Sequence, residues 1–347
     1  MIRVANIVGA RPQFIKAGPV SKALKFQQID ELLINTGQHY DPLMSQRIMQ
    51  DIGLRQPDIN LGVGSGPHAV QTGRMMERLE AVLVENPVDL VVVYGDTNTT
   101  LAAAIAATKL DIPTAHVEAG LRSFNRKMPE ELNRVLTDHA CDFLYAPTQT
   151  AMGHLEREGL LDRATLTGDV MVDALESIDF ISVPRPEWAD GEFYLATIHR
   201  AENTDDGDRL SGILDGLATT GIPVHLLAHP RLRRQIEQFG MEPGGSLTLH
   251  DPLSYSEMLA TLQTSRGLYT DSGGLQKEAY ILGVPCVTIR DETEWPETLA
   301  GSRNVLVTPG PNLGAMMPTL DAGLGQKVFG DGTAARRIVE CILMEVT

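Results

Sequence analysis

Short apolar runs recur along the chain, each ending on a polar cluster. In the first half they are Arg3–Val8, Leu32–Asn35, Leu90–Tyr94, Thr114–Val117, Phe143–Ala146 and Thr165–Thr167. They are continuous instead of alternating, which marks strands covered on both faces. Stretches of helical length separate them, and Leu101–Thr108, made of small residues, reads as a closely packed helix. With a short strand before Gly62, the pattern predicts about seven strands in a doubly wound parallel unit. The segment 181–188, ISVPRPEW, loses the period and predicts a linker. Alternation then restarts with strands at Phe193–Ile198, Val224–Ala228, Leu247–His250, Gly267–Thr270 and Pro285–Ile289. An amphipathic helix over Thr333–Met344 is expected to pack back on the body. The fold class is therefore α/β, with two Rossmann-like doubly wound domains whose parallel sheets face a central cleft. Their expected bounds are 1–180 and 181–332, with 333–347 as the returning helix.

The polar clusters fall at strand C-termini, the edge where open parallel sheets bind ligands. Asp96 follows Leu90–Tyr94, Glu118 ends Thr114–Val117, and Glu130 opens the next helix, with Arg134 one turn on. Each acid alone could be a cap, a first-turn acid or a solvated loop residue. Three on one rim would repel when ionised, an arrangement suited to proton transfer. Arg11 and Lys16 lie near the helix start after Gly9, where an anion would be favoured, although a solvated basic pair explains them equally. The run 36–41, TGQHYD, is dense enough in polar groups to form a binding loop, although turn chemistry alone would also explain Gly37 and Asp41. The glycines of 61–67, LGVGSGP, do not form a dinucleotide fingerprint, because they follow the third strand and no acid ends the next. That segment is expected to be a mobile loop able to close over a ligand.

The formal net charge of −16 argues against a nucleic-acid or anionic-membrane surface. Any phosphate must then be held by a few local cations and by helix N-termini. Cys141, Cys286 and Cys341 form no CxxC pair, and the first two lie in apolar surroundings suited to a reducing compartment. No apolar run approaches the roughly 20 residues needed to cross a bilayer, and the start of the chain enters a strand directly. A cytoplasmic protein is expected, with no metal and no cofactor.

In the second half, Asp271-Ser272-Gly273-Gly274 precedes a helical stretch, so a diphosphate could approach free N–H groups at the helix start, although a Ser-capped helix with a Gly turn gives the same string. Glu278, one turn on, could accept from a ribose diol. His199 ends a strand and could act as an acid or as a cation on a leaving phosphate; a lone histidine is more often structural, but this one sits on the same kind of rim as the rest.

In order along the chain, GARPQFIK, TGQHYD, VYGDTNTT, HVEAGLRS, PEELNR, TIHRAEN, AHPR, DSGGLQKEA and RDETEWPE resemble the non-hydrolysing UDP-N-acetylglucosamine 2-epimerases, from about Val4 to Glu297. The resemblance implies a GT-B architecture and reversible epimerisation at C2, UDP-GlcNAc to UDP-ManNAc, through loss and re-addition of UDP around 2-acetamidoglucal. It also implies that Asp96, Glu118, Glu130 and His199 are catalytic. Arg11, Lys16, His229, Ser272, Gly273, Gly274 and Glu278 would hold UDP, Arg134 would support the carboxylates, and Gln38 and His39 would border a regulatory site. A homodimer is the expected assembly. Two departures stand out: the loop 123–128 is short, and Trp295 occupies a position where many relatives carry Arg. Three rival readings remain open. They are a hydrolysing epimerase releasing ManNAc and UDP, a UDP-sugar glycosyltransferase, and a non-catalytic UDP-sugar sensor.

Overall fold

The structure is a computed structural model that describes residues 2–38, 42–310, 312–318 and 327–346. The chain divides into two compact units, one made of 1–178 with 327–347 and the other of 179–326. The segment 327–332, expected in the second domain, thus belongs with the first.

The first unit holds a seven-stranded sheet in the order β3-β2-β1-β4-β5-β6-β7. Its strands are β1 (Arg3–Val8), β2 (Asp30–Asn35), β3 (Ile59–Asn60), β4 (Leu90–Tyr94), β5 (Thr114–Val117), β6 (Phe143–Ala146) and β7 (Ala164–Leu166). Every pairing is parallel. All five residues of β4 are fully buried, as its unbroken apolar run required. The helix Asn98–Lys109 after it is built from small residues, and Ala102, Ala103, Ala104 and Ala107 have no exposed surface. Small side chains let it lie close against the helices His68–Glu85 and Pro129–Ala140.

The second unit holds a six-stranded parallel sheet in the order β10-β9-β8-β11-β12-β13. These strands are β8 (Tyr194–Thr197), β9 (Val224–Leu227), β10 (Leu247–His250), β11 (Gly267–Thr270), β12 (Cys286–Thr288) and β13 (Asn304–Leu306). Ile213, Leu217, Leu226, Val287 and Ile289 form part of its core. β13 is absent from the sequence reading, since three residues give no usable period. Trp188, at the end of the predicted linker, stacks on His250 with ring centroids 4.3 Å apart.

The helix Ala334–Val346 packs on the helices Arg11–Phe26 and Val170–Glu176 of the first unit. Asp173 accepts from the N–H groups of Ala334 (3.2 Å) and Ala335 (2.9 Å), which satisfies donors at that helix's start. The segment 61–64, expected to be mobile, is tied by backbone bonds from Val63 to Thr36 and from Gly64 to Gly37, each 3.0 Å.

Each sheet reverses its winding once, between β1 and β4 in the first and between β8 and β11 in the second. Loops after adjacent strands diverge at such a point and leave a crevice at the strand C-termini. The predicted site residues of both units lie on the elements that leave these edges.

Candidate active site

In the first unit, Pro12 at the second helical position lets the helix Arg11–Phe26 start directly after β1. Lys16, one turn in, is 8% exposed, and its Nζ forms a very short ion pair with Glu118 Oε2. Glu118 is 6% exposed and has φ +75°, a left-handed conformation unusual for a side-chain-bearing residue. Two successive amides hold this turn, since Glu118 N and Ala119 N both donate to Tyr145 O at 3.1 Å. Strain of this kind persists only where surroundings over-determine it, and it gathers at functional sites.

Asp96 is not the helix cap that one sequence reading allowed; Thr97 takes that role. Instead Asp96 Oδ2 accepts from Arg134 Nε at 3.0 Å and Nη2 at 2.6 Å. The fork also reaches Glu131 Oε2 through Nη1 at 2.9 Å. Asn133 Nδ2 donates to Asp96 O at 2.9 Å, so backbone and carboxylate are both fixed. Two of the three rim acids are thus each paired with a cation, which offsets the repulsion expected among them. Glu130 is half-buried, and its side chain makes no hydrogen bond or ion pair among the described residues.

Glu131, which the sequence reading passed over, is the buried acid of that pair. It accepts from the N–H groups of Ser123 and Phe124 at 2.8 Å each and pins the start of the short 123–128 loop. Burial works to raise its carboxyl, but these N–H groups, the Ser123 hydroxyl and Arg134 hold it below the ordinary value. Gln38 Oε1 accepts from Thr99 N at 3.0 Å and Thr99 Oγ1 at 2.8 Å, so its amide closes a helix start. His39 lies outside the described residues, and Arg11 stands at the first helical position, half-buried.

In the second unit, His199 follows β8, and its Nδ1 lies 2.8 Å from Asp271 Oδ1. Asp271, fully buried at the end of β11, also accepts from Arg200 N at 2.9 Å and Asn203 Nδ2 at 3.0 Å. Burial alone would raise this carboxyl; the bond from His199 and the other donors hold it low. An ionised Asp271 fixes the His199 tautomer with Nδ1 protonated and leaves Nε2 for a ligand. Asp271 was legible in the DSGG motif, yet nothing in the string said that its carboxylate would face back to His199.

Ser272 caps the helix Gly273–Leu282, accepting from Leu275 N at 3.3 Å. Gly274 is exposed, and a Cβ there would meet only Ser272 Oγ at 4.0 Å. Gly273 differs. A Cβ there would fall 2.2 Å from Glu294 Oε1, so its space is filled by this chain's own carboxylate. Glu294 in turn pairs with the buried Arg290 at 2.8 Å. The space expected at both glycines is thus open at Gly274 and taken up by Glu294 at Gly273. Glu278 Oε1 accepts from Tyr255 OH at 2.7 Å within the core. His229 is exposed and caps the helix Pro230–Gln238, where Arg231 N reaches its Nδ1 at 3.3 Å. Trp295 is buried, with Lys277 Nζ 3.9 Å from its ring centroid, a cation–π contact.

Two doubly wound parallel sheets, each with charged groups at its switch point, are the build of a GT-B-type α/β enzyme. The comparisons with known proteins agree. A family profile described as UDP-N-acetylglucosamine 2-epimerase matches residues 22–343. The UDP-2,3-diacetamido-2,3-dideoxy-D-glucuronate 2-epimerase of Pseudomonas aeruginosa is 44% identical over 98% of this chain and 99% of its own. The UDP-N-acetylglucosamine 2-epimerase of Methanocaldococcus jannaschii is 39% identical over 98% and 99%. The crystal structure of the M. jannaschii enzyme in complex with UDP-GlcNAc and UDP superposes with a TM-score of 0.89, at 37% identity, covering 99% of this chain and 100% of that one. The chain belongs to the UDP-N-acetylglucosamine 2-epimerase family, and its members are isomerases. No helix of the described residues is long and apolar enough to cross a membrane.

Proposed function

We propose that the protein inverts C2 of a UDP-linked 2-acetamido sugar, interconverting UDP-GlcNAc and UDP-ManNAc by elimination and re-addition of UDP. The observation that carries this reading is Glu118, held in a left-handed turn at the sheet edge and paired to the buried Lys16. The C2 proton has no carbonyl beside it and is not acidic as it stands. Departure of UDP from C1 leaves an oxocarbenium-like ring, and a carboxylate can then remove the C2 proton to give 2-acetamidoglucal. Inversion requires a second acid/base group on the other face. Glu118 and Asp96 take these parts, with Glu130, whose carboxylate has no protein partner among the described residues, as the third group. Arg134 holds Asp96 in place through its fork.

The second unit grips the nucleotide. Ser272, Gly274 and the start of the helix Gly273–Leu282 receive the diphosphate. Glu278 takes the ribose, His229 adds a donor group, and His199 stabilises charge on departing UDP through Nε2. Arg11 and Lys16, which belong to the first unit, add positive charge for the diphosphate. A homodimer in the cytoplasm remains part of the proposal.

The identity of the P. aeruginosa relative supports a second reading with the same chemistry, in which the sugar carries a second acetamido group and a carboxylate. The test is incubation of each UDP-sugar in deuterated water, followed by proton NMR. Deuterium at C2 together with the epimer supports the reading. Release of free sugar would show a hydrolysing enzyme, and neither exchange nor epimer with either sugar would overturn the proposal.

A further inference from the structure

Behind the rim, on the C-terminal part of β5, His116 is completely buried. Its Nδ1 lies 2.6 Å from Asp138 Oδ1 and its Nε2 lies 2.7 Å from Gly95 O. Both partners accept hydrogen bonds, so a neutral ring, with one bare nitrogen, could satisfy only one of them. Asp138, also fully buried, takes Arg122 Nη1 at 2.7 Å and Gly120 N at 3.1 Å on its other oxygen. A carboxylate against a guanidinium is the ionised form, which leaves the ring to carry two protons. Arg122 continues to Glu158, with Nε at 2.8 Å and Nη2 at 2.7 Å. An imidazolium, two carboxylates and a guanidinium then sum to zero, the balance that buried charge requires. Other titratable neighbours are His154, which bonds Gly120 O at 2.8 Å, the exposed His139, 3.9 Å from Glu158, and the fully buried Cys141, whose thiol is raised by burial and then by the Asp138 charge. Burial opposes ionisation of Asp138, while the ring and Arg122 hold its carboxyl below the ordinary value.

The two loops that this cluster joins are the loops of the reaction. Gly95 O belongs to the peptide that enters Asp96, and Gly120 N closes the turn after Glu118. Gly120 has φ +82°, and a Cβ there would fall 2.5 Å from Ala151 O, so the turn has no slack. We propose that His116 and Asp138 are a positioning pair: a buried imidazolium–carboxylate bridge that sets Asp96 and Glu118 relative to one another for proton transfer at C2. The pair touches no substrate. It fixes one loop by donating to its carbonyl and the other by accepting its amide, so neither acid can shift alone.

This inference rests on the C2 epimerisation reading, but one arm of its test does not. Protein labelled with 15N-histidine is examined by NMR at pH 7.5, and His116 is assigned by its absence in His116→Gln. Two protonated ring nitrogens on His116 are expected; one bare nitrogen overturns the bridge whether or not the enzyme turns over any sugar. In the kinetic arm, His116→Gln and Asp138→Asn are compared with wild type per folded molecule, using circular dichroism and UDP binding to count folded sites. Displacement of an acid/base group by about 1 Å can cost about 10²-fold, so kcat should fall by that order while KM and UDP affinity hold within about twofold. Near-wild-type kcat in a folded His116→Gln overturns the positioning role. If the variants do not fold, His116 is assigned in the wild-type protein through NOEs from its ring protons to its own backbone, and the NMR arm still decides the bridge. Wild-type protein that shows two protonated nitrogens but no C2 exchange refutes the reaction and leaves the bridge standing.

Discussion

Gly273→Ala separates two uses of a glycine that look identical in sequence. If Gly273 leaves room for a diphosphate, alanine should weaken UDP binding and leave the empty protein as stable as before, or slightly more so. Its φ is not in the left-handed region, so alanine fits the backbone, and losing glycine's freedom in the unfolded chain would by itself stabilise by about 0.4–1 kcal/mol. The structure predicts the opposite sign. The new Cβ would lie 2.2 Å from Glu294 Oε1, 3.1 Å from Glu294 Cδ and 3.2 Å from Arg290 Nη1. The Glu294 side chain must withdraw, yet it is buried and paired to Arg290, whose side chain is 1% exposed. Overpacking of this kind costs about 1–3 kcal/mol, and full loss of a buried pair about 3–5 kcal/mol. Partial withdrawal should therefore give a net loss of about 1–3 kcal/mol. The assay is urea denaturation followed by tryptophan fluorescence without ligand. Both tryptophans, Trp188 and Trp295, lie in the second unit, so the signal reports that unit alone. Gly274→Ala is the control, expected to leave stability near wild type and to weaken UDP binding, measured by calorimetry. A Gly273→Ala protein as stable as wild type, with only UDP affinity reduced, would refute the packing argument.

Other outcomes follow from the same geometry. Asp96→Asn, Glu118→Gln and Glu130→Gln should each lower epimerisation by at least about 10²-fold with little change in UDP affinity, and at least one should release 2-acetamidoglucal, visible by NMR. Rates near wild type in all three would make the carboxylate rim structural. Glu278→Ala should raise KM more than it lowers kcat, because a ribose contact is equal in ground and transition states; initial-rate kinetics decide. His225 is lowered by burial, and then by the neighbouring His250, to about 4. The unfolded chain, titrating near 6.5, therefore binds more protons between those values, and stability falls as pH drops through that window. Full burial would give about 2 kcal/mol between pH 7.5 and 5; with the ring partly exposed, about 1 kcal/mol is expected. His225→Phe should flatten that dependence in urea melts at the two pH values.

The strands that continuous apolar runs announced were legible because burial on both faces leaves little room for polar residues. β13 was not, since Asn304–Leu306 is three residues long with two of them half-exposed. At the site, the strand-end rule brought attention to Asp96, Glu118 and His199 without reference to any structure. It could not choose between Glu130 and Glu131, adjacent on one helix, because only the helix's rotation against the sheet decides which one is buried. Nor could it show that the Lys16 cation, expected to meet an external anion, has an internal partner 102 residues along the chain. His116 gave no signal, since a lone histidine inside an apolar strand reads as core.

The route of the chain has a consequence for biosynthesis. Residues 179–326 form their own unit, so they interrupt the first unit, whose helix Ala334–Val346 is made last of all the described elements. The inserted unit has its whole sequence available before the surrounding one does. On a ribosome, where units fold as they emerge, the sheet that carries Asp96 and Glu118 would wait with the helices Arg11–Phe26 and Val170–Glu176 uncovered. The second unit is thus free to mature before the first. A nascent chain stopped before residue 334 should expose that apolar seam to chaperones or proteases.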